Sequence, residues 1–521
     1  PDHVFKLTFA QMLAAASQAA PGGAASQAAP ESERAPPQQS PPPAAPQGAP
    51  PKAGGVPSSP RASAASGASQ AGPTAPARSA QPQTVAGSAA AGAASLSGPH
   101  FEHLEMTPPR SPAESLAVLH ARPGMQVALV ASEPLVVDPV AFDWGPDGRL
   151  WVVEMRDYPN GITWRKEGDE LGRPGGRIKV LRDEDGDGRY DTARIFLDDI
   201  PFPTGVKVWR EGILVTAAPS IFYAEDRDGD ERADVRIELY RGFGEGNQQH
   251  RVNGLRWGLD NWLHVGNGDS GGVIEVVAAL RQARAAWLAG GSSAVGAAAA
   301  VPAAASERPR VNVSGRDLRI RPDEGWLDAT SGNTQFGRER DDWDDWFGGN
   351  NSNPIWHYVL DDYYLRRNPH VTYPPVRKAV SVTPGAAPVF PRSQTLARFN
   401  DFAMANRFTS ACSPMIYRDE LLGPEYEGNY FVCEPVHNLV HREPMQRQGV
   451  TFVSRRADDE QTSEFLASED HWFRPSMCRT GPDGALWVAD MYRFVIEHPK
   501  WIPDAAQKKL DLRAGDEMGR I

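Results

Sequence analysis

WGPDGRLWVVEM, from Trp144 to Met155, is the stretch that decides the fold. It reads as strand, two-residue Asp147-Gly148 turn, strand, with aromatic and β-branched residues after the turn. GPDGALWVADM repeats it from Gly481 to Met491, and WGLDNWLHVGNG, a looser copy, runs from Trp257 to Gly268. A hairpin that recurs along a chain marks a repeat architecture, and divergent all-β repeats favour a propeller around a central channel. Further inner hairpins are expected near 211, 344 and 428, making six with those near 145, 258 and 483. Gly and Pro punctuate the sequence too often for a helical alternative. The expected fold is all-β: a six-bladed β-propeller preceded by a disordered Ala/Pro/Ser-rich segment.

Composition divides the chain of 521 residues. Residues 1–100 hold few large apolar side chains and cannot offset the entropy of ordering, so they are expected to be disordered. Residues 278–309 share that character and interrupt a β-rich region, as a surface insertion would. The propeller is assigned to residues 120–521. A formal net charge of −12 argues against a nucleic-acid surface. No apolar run reaches the ~18 residues of a membrane helix. The opening PDHVFKLTFAQMLAAASQAA has the character of a signal-peptide remnant. The three cysteines, Cys412, Cys433 and Cys478, form neither C-x-x-C nor C-x-x-C-H, which leaves no Cys-based zinc site and no covalent c-type haem. Buried thiols, or one disulfide with an odd cysteine, both remain open.

Two acidic loops carry the clearest local chemistry. DEDGDGRYD sets Asp183, Asp185, Asp187 and Asp191 at positions 1, 3, 5 and 9. DRDGDERAD sets Asp226, Asp228, Asp230 and Asp234 identically, 43 residues on. That spacing suits a propeller blade, and each loop falls between two strands as an outer turn. Calcium takes about six to eight oxygens, which closely spaced carboxylates can supply. The EF-hand pattern is incomplete, since position 12 holds Arg194 and Ile237 where glutamate is needed. Structural calcium is expected here, with solvated Asp-Gly turns as the alternative.

Four longer tracts carry a family resemblance: QQHRVNGLRWGLDNWLHVGNGDSGG, SGNTQFGRERDDWDDWFGGNNSNPIWHYVL, YEGNYFVCEPVHNLVHRE and FRPSMCRTGPDGALWVADMYRFVIEHPKWIP. Together they resemble the membrane-bound dehydrogenase domain of planctomycetes and verrucomicrobia, which is similar to the soluble quinoprotein glucose and sorbosone dehydrogenases. That resemblance implies a six-bladed propeller, pyrroloquinoline quinone and calcium. It also implies an extracytoplasmic or periplasmic quinoprotein-like dehydrogenase acting on a sugar or alcohol, with a cytochrome c domain or protein as electron acceptor. His250 matches the general base of those enzymes, and an imidazole with pKa near ~6.5 suits the task. The sugar dehydrogenases place Asp before that His, whereas this chain has Gln249. Gln335 resembles part of their quinone-contacting stretch, although Gly332-Asn333 replaces the expected Arg-Asn.

A planar tricarboxylate needs arginine forks. Arg156, Arg251, Arg256 and Arg493, with Asn253 and Gln335, are the candidate cofactor-binding groups. Asp269 and Asp490 end inner strands and are candidates for substrate hydroxyls. Two other functions stay open. One is a calcium-dependent hydrolase of the lactonase kind, with a channel cation on Glu154, Asn253, Asp269 and Asp490. The other is a non-catalytic propeller binding carbohydrate or protein.

Overall fold

The computed structural model of the chain describes residues 105–162, 172–289, 310–394 and 405–521. The expectations for residues 1–100, and for residues 290–309 of the insertion, lie outside the described residues.

The repeated hairpin closes by one device, one residue longer than the sequence reading supposed. Gly145 N donates to Arg149 O (2.9 Å) and Gly148 N to Gly145 O (3.1 Å). The loop is therefore Pro146, Asp147 and Gly148, a turn ended by a left-handed residue, Gly148 at φ 80°. In the copies, Gly258 N donates to Trp262 O (2.9 Å) and Gly481 N to Ala485 O (2.8 Å). Asn261 (φ 59°) and Gly484 (φ 79°) take the left-handed place. Asp147, Asp260 and Asp483 each accept from the backbone N–H two residues on, at 3.0–3.2 Å. Aspartate fastens the turn and Gly or Asn tolerates its last residue, so the motif recurs.

Antiparallel strands follow in chain order around a ring. The first blade is Pro139–Trp144, Leu150–Glu154, Gly176–Arg182 and Thr192–Ile200. The second is Gly205–Trp209, Gly212–Ala217, Ser220–Glu225 and Val235–Phe243. The third is Asn253–Trp257, Leu263–Gly266, Asp317–Arg321 and Trp326–Thr330. The fourth is Glu339–Arg340, Trp346–Asn350, Asn353–Tyr358 and Arg377–Ala379. The fifth is Cys412–Ile416, Tyr430–Glu434, Leu439–Glu443 and Leu466–Ser468, with Leu119–Ala121 at its edge. A two-stranded hairpin, Pro475–Thr480 and Leu486–Asp490, packs against both the fifth blade and the first. The architecture is thus a β-propeller. Asp490 N donates to Arg520 O (2.8 Å) and Ile521 N to Ala131 O (2.9 Å), so the last residues seal the seam beside that hairpin.

The low-complexity insertion interrupts the third blade but attaches to the second. Its flanking strands, Gly272–Val276 and Arg310–Asn312, extend the outer edge of the second blade. Its first residues form a helix, Leu280–Leu288, where the sequence suggested only low complexity. The three cysteines meet at one seam: Cys412 and Cys433 are register partners in the fifth blade, and Cys478 lies in the adjoining hairpin. All three are free thiols.

In each antiparallel blade the chain enters the first strand and leaves the second at the same end. Segments before first strands and after second strands therefore gather at the upper end of the ring. The repeated turns and both acidic loops lie at the lower end.

Candidate functional site

His250 belongs to the upper end. Asn247 caps a short 3₁₀ turn, Gln248–His250, by accepting from Gln249 N (3.0 Å). The side chain of Gln249 then donates to Tyr158 OH (3.0 Å) and to Ile496 O (3.3 Å). Tyr158 leaves the first blade and Ile496 leaves the last hairpin, which lies across the ring from the third blade. One glutamine bridging these three places can do so only near the axis. The position where the resemblance expects aspartate is thus a strut across the channel mouth.

The imidazole beside it is held by an amide. Gln335, in the segment leading into the fourth blade, brings Nε2 to 2.9 Å from His250 Nε2 and 3.2 Å from Nδ1. Its Oε1 accepts from Asn351 N (2.7 Å). A backbone N–H only donates, so the amide nitrogen must face the imidazole. Burial pushes the His250 pKa below its usual value, and Asp269 opposes that shift. The ring is therefore neutral at neutral pH. Asp269 is exposed, has φ 64°, and accepts from Asn333 Nδ2 (2.7 Å). Ser270 Oγ donates to the His250 carbonyl, tying the two loops together.

Around this centre sit buried polar atoms without protein partners. They are Arg156 Nε, Asp157 Oδ1, Gln248 Oε1, Arg251 Nε and Asn333 Oδ1, all in upper-end segments. Buried polar groups are normally paired, so these atoms are the ones able to take a further polar partner. Burial pushes the Asp157 pKa up to about 6 against the Phe202 N–H it accepts (2.9 Å). Arg251 is buried against the Phe202 ring (4.7 Å) and donates to Glu245 O (2.9 Å).

Other expected groups are committed elsewhere. Arg493 is fully buried in a bidentate pair with Asp138 (2.5 and 2.7 Å). Strand ends explain the difference from Arg156: Met491 matches Met155, so Arg493 falls at the place of Asp157, and Tyr492 at that of Arg156. Arg256 pairs with Glu339 between the third and fourth blades (2.9 Å). Asn253 donates to Arg251 O (2.7 Å) and Gln335 O (2.8 Å) and accepts from Gly337 N (2.8 Å), bracing the site from below. Asp490 accepts from Arg474 N (2.7 Å) and Tyr492 N (2.9 Å), and burial pushes its pKa up to about 7. Glu154 pairs with Lys179 (2.8 Å). Each of the channel-cation candidates thus has its own local partner. Tyr158 and Asp157 were not singled out from sequence; the exit loop after each inner hairpin was the available signal.

The acidic loops match each other bond for bond. Asp183 accepts from Gly186 N and Gly188 N (2.7 and 2.9 Å); Asp226 accepts from Gly229 N and Glu231 N (2.8 and 2.9 Å). Asp191 accepts from Glu184 N and Asp234 from Arg227 N, both at 2.8 Å. Oxygens of Asp183, Asp185 and Asp187 lie within 4.8 Å of one another, as do those of Asp226, Asp228 and Asp234. Asp191 and Asp230 are not part of those groupings. Among the described residues no helix is long and apolar enough to cross a membrane.

Several solved structures are similar. An oxidoreductase (glucose dehydrogenase) from Thermus thermophilus is 15% identical, with a TM-score of 0.36, covering 71% of this chain and 94% of its own. The PQQ-bound aldose sugar dehydrogenase of Streptomyces coelicolor is 12% identical, with a TM-score of 0.37, covering 77% and 96%. An inactive virginiamycin B lyase variant from Staphylococcus aureus, with quinupristin, is 9% identical, with a TM-score of 0.31, covering 70% and 87%. No curated protein matches. A family described as Domain of unknown function (DUF7133) matches residues 111–289 and 284–521, and with most of its length so covered the chain belongs to that family.

Proposed function

We propose that this protein is an extracytoplasmic oxidoreductase that oxidises an alcohol or sugar hydroxyl, with His250 as general base and a bound quinone as acceptor. Electrons leave for a cytochrome c domain or protein. On this reading the two-stranded hairpin Pro475–Asp490 is the sixth blade. The observation that carries the proposal is the neutral His250 imidazole beside the axial strut Gln249, with Asp269 and Asn333 adjoining.

The residues present fit a polar, acid-bearing cofactor in part. Arg156 and Arg251 each retain an Nε–H without a partner and would hold carboxylates there. Arg256 and Arg493 are already paired and would not. A bound quinone supplies the acceptor for the hydrogen and electron pair leaving the carbinol carbon. His250 takes the hydroxyl proton on the ring nitrogen that carries the lone pair. Gln335 donates to that lone pair in the substrate-free site, so an arriving hydroxyl displaces it. Asp269 accepts a neighbouring substrate hydroxyl and keeps the protonated ring from being isolated. Calcium is assigned to the lower-end loops, on Asp183, Asp185 and Asp187 and on Asp226, Asp228 and Asp234, as a structural ion.

Purified protein supplied with calcium and pyrroloquinoline quinone, then assayed with a dye acceptor over a panel of sugars and alcohols, tests the reading. Turnover of at least one substrate, dependent on the quinone, is expected. Failure to bind the quinone by titration calorimetry contradicts it.

A further inference from the structure

A second site lies at the opposite end of the ring, where the tips of the second and third blades meet. A cavity of about 430 Å³ opens there between Trp209 of the second blade and Trp257, Asn261 and the Arg321–Glu324 turn of the third. That volume is within the ~300–1,000 Å³ usual for small-molecule sites.

Its aromatic lining packs on the core of the second and third blades but is less deeply buried than several other tryptophans. Trp151, Trp346 and Trp472 are 6%, 8% and 3% exposed. Trp209 and Trp257 are only half-buried, with ring centroids 4.8 Å apart and planes tilted 41°. Beside them the Arg321 guanidinium lies 4.7 Å from the Trp262 ring and 5.4 Å from the Trp326 ring. Trp326 is 52% exposed.

The polar groups are equally suited to a ligand. Trp209 Nε1 and Arg321 Nε are donors with no protein partner. Asn261, Asp323 and Glu324 offer carbonyl and carboxylate oxygens on the lining. Asp323 is paired with Arg210, which also covers the Trp209 ring at 4.6 Å. Glu324 lies 3.7 Å from Arg281. Both lining carboxylates are therefore answered by arginines, so the cavity holds no surplus of negative charge that would select for a cation. Indole surface lining a cavity beside hydroxyl-binding amide, carboxylate and N–H groups is the chemistry that recognises a pyranose.

We propose that this cavity binds a neutral oligosaccharide, independently of the upper-end chemistry. It would tether the protein to a glycan and leave the His250 site free. The test is calorimetric and fluorescence titration of the intact protein with neutral tetrasaccharides of glucose (α- and β-linked), xylose and mannose. At least one is expected to bind and to change indole emission. Trp257→Ala and the exposed-side-chain substitution Glu324→Ala should each weaken that binding at least tenfold, with thermal midpoint unchanged for Glu324→Ala. His250→Ala should leave it unaltered. The proposal is overturned by no binding across the panel, by binding that survives both lower-end substitutions, or by binding lost in His250→Ala.

Discussion

The amide nitrogen of Gln335 lies 2.9 Å from His250 Nε2 and 3.2 Å from Nδ1, with its oxygen pinned by Asn351 N at 2.7 Å. One donor therefore serves the imidazole lone pair in either tautomer, which favours the neutral ring. Burial acts in the same direction, holding the His250 pKa below its usual value. On the proposed role the base is available above that lowered pKa, and activity should fall as pH drops through it.

Gln335→Glu reverses the amide's effect. A carboxylate at that place favours the imidazolium and raises the His250 pKa by about one unit or more. The acid limb of the kcat/KM profile should shift to higher pH by that amount. An unshifted limb means that Gln335 does not govern the proton on His250.

Asp490 predicts the opposite pH behaviour in stability. Its carboxyl is pushed up to about 7, against an ordinary 3.8, so the folded state holds a proton that the unfolded state has released between those values. Its stabilising contribution is full below about 3.8 and is lost as pH rises through about 7. Asp490→Asn keeps an oxygen for the two backbone N–H groups and should flatten the thermal midpoint across that window. A variant with the same pH slope as the parent removes Asp490 from the account.

Arg493→Ala separates a structural arginine from a ligand-binding one. Removing it strands Asp138 in a fully buried place, which costs about 3–5 kcal/mol. Urea denaturation should show that loss. Unchanged stability with lost quinone affinity would return Arg493 to the cofactor site.

Calcium should stabilise the protein through the two acidic loops. An ion bound only by the folded state adds about 2.7 kcal/mol at 100 times its dissociation constant. Chelation should lower the thermal midpoint, and the combined Asp183→Asn and Asp226→Asn variant should show no response to calcium. A midpoint indifferent to calcium in the parent means that the loops are solvated turns.

Much of the fold was legible because its signal is local. The turn writes itself in four neighbouring residues, G-x-D-G or G-x-D-N, so the hairpins near 145, 258 and 483 fall where the sequence puts them. The turn length was misjudged at its start: Pro146 has no N–H to close a two-residue loop, so the closing bond runs from Gly145 N to Arg149 O. The site was less legible. His250 and Gln335 came from a matching motif, but that Gln249 reaches Tyr158 and Ile496 depends on residues 91 and 247 positions away. Arg156 and Arg493 looked equivalent because both follow an inner hairpin. One residue of offset put the first at the channel mouth with an unpaired Nε and the second into a buried ion pair.

The most direct test of the central claim is the quinone-dependent dye-reduction rate of His250→Ala beside the parent protein. The account predicts a loss of at least ~100-fold in kcat, as removal of a general base gives, with thermal midpoint and quinone binding preserved. Turnover within a few-fold of the parent would contradict it.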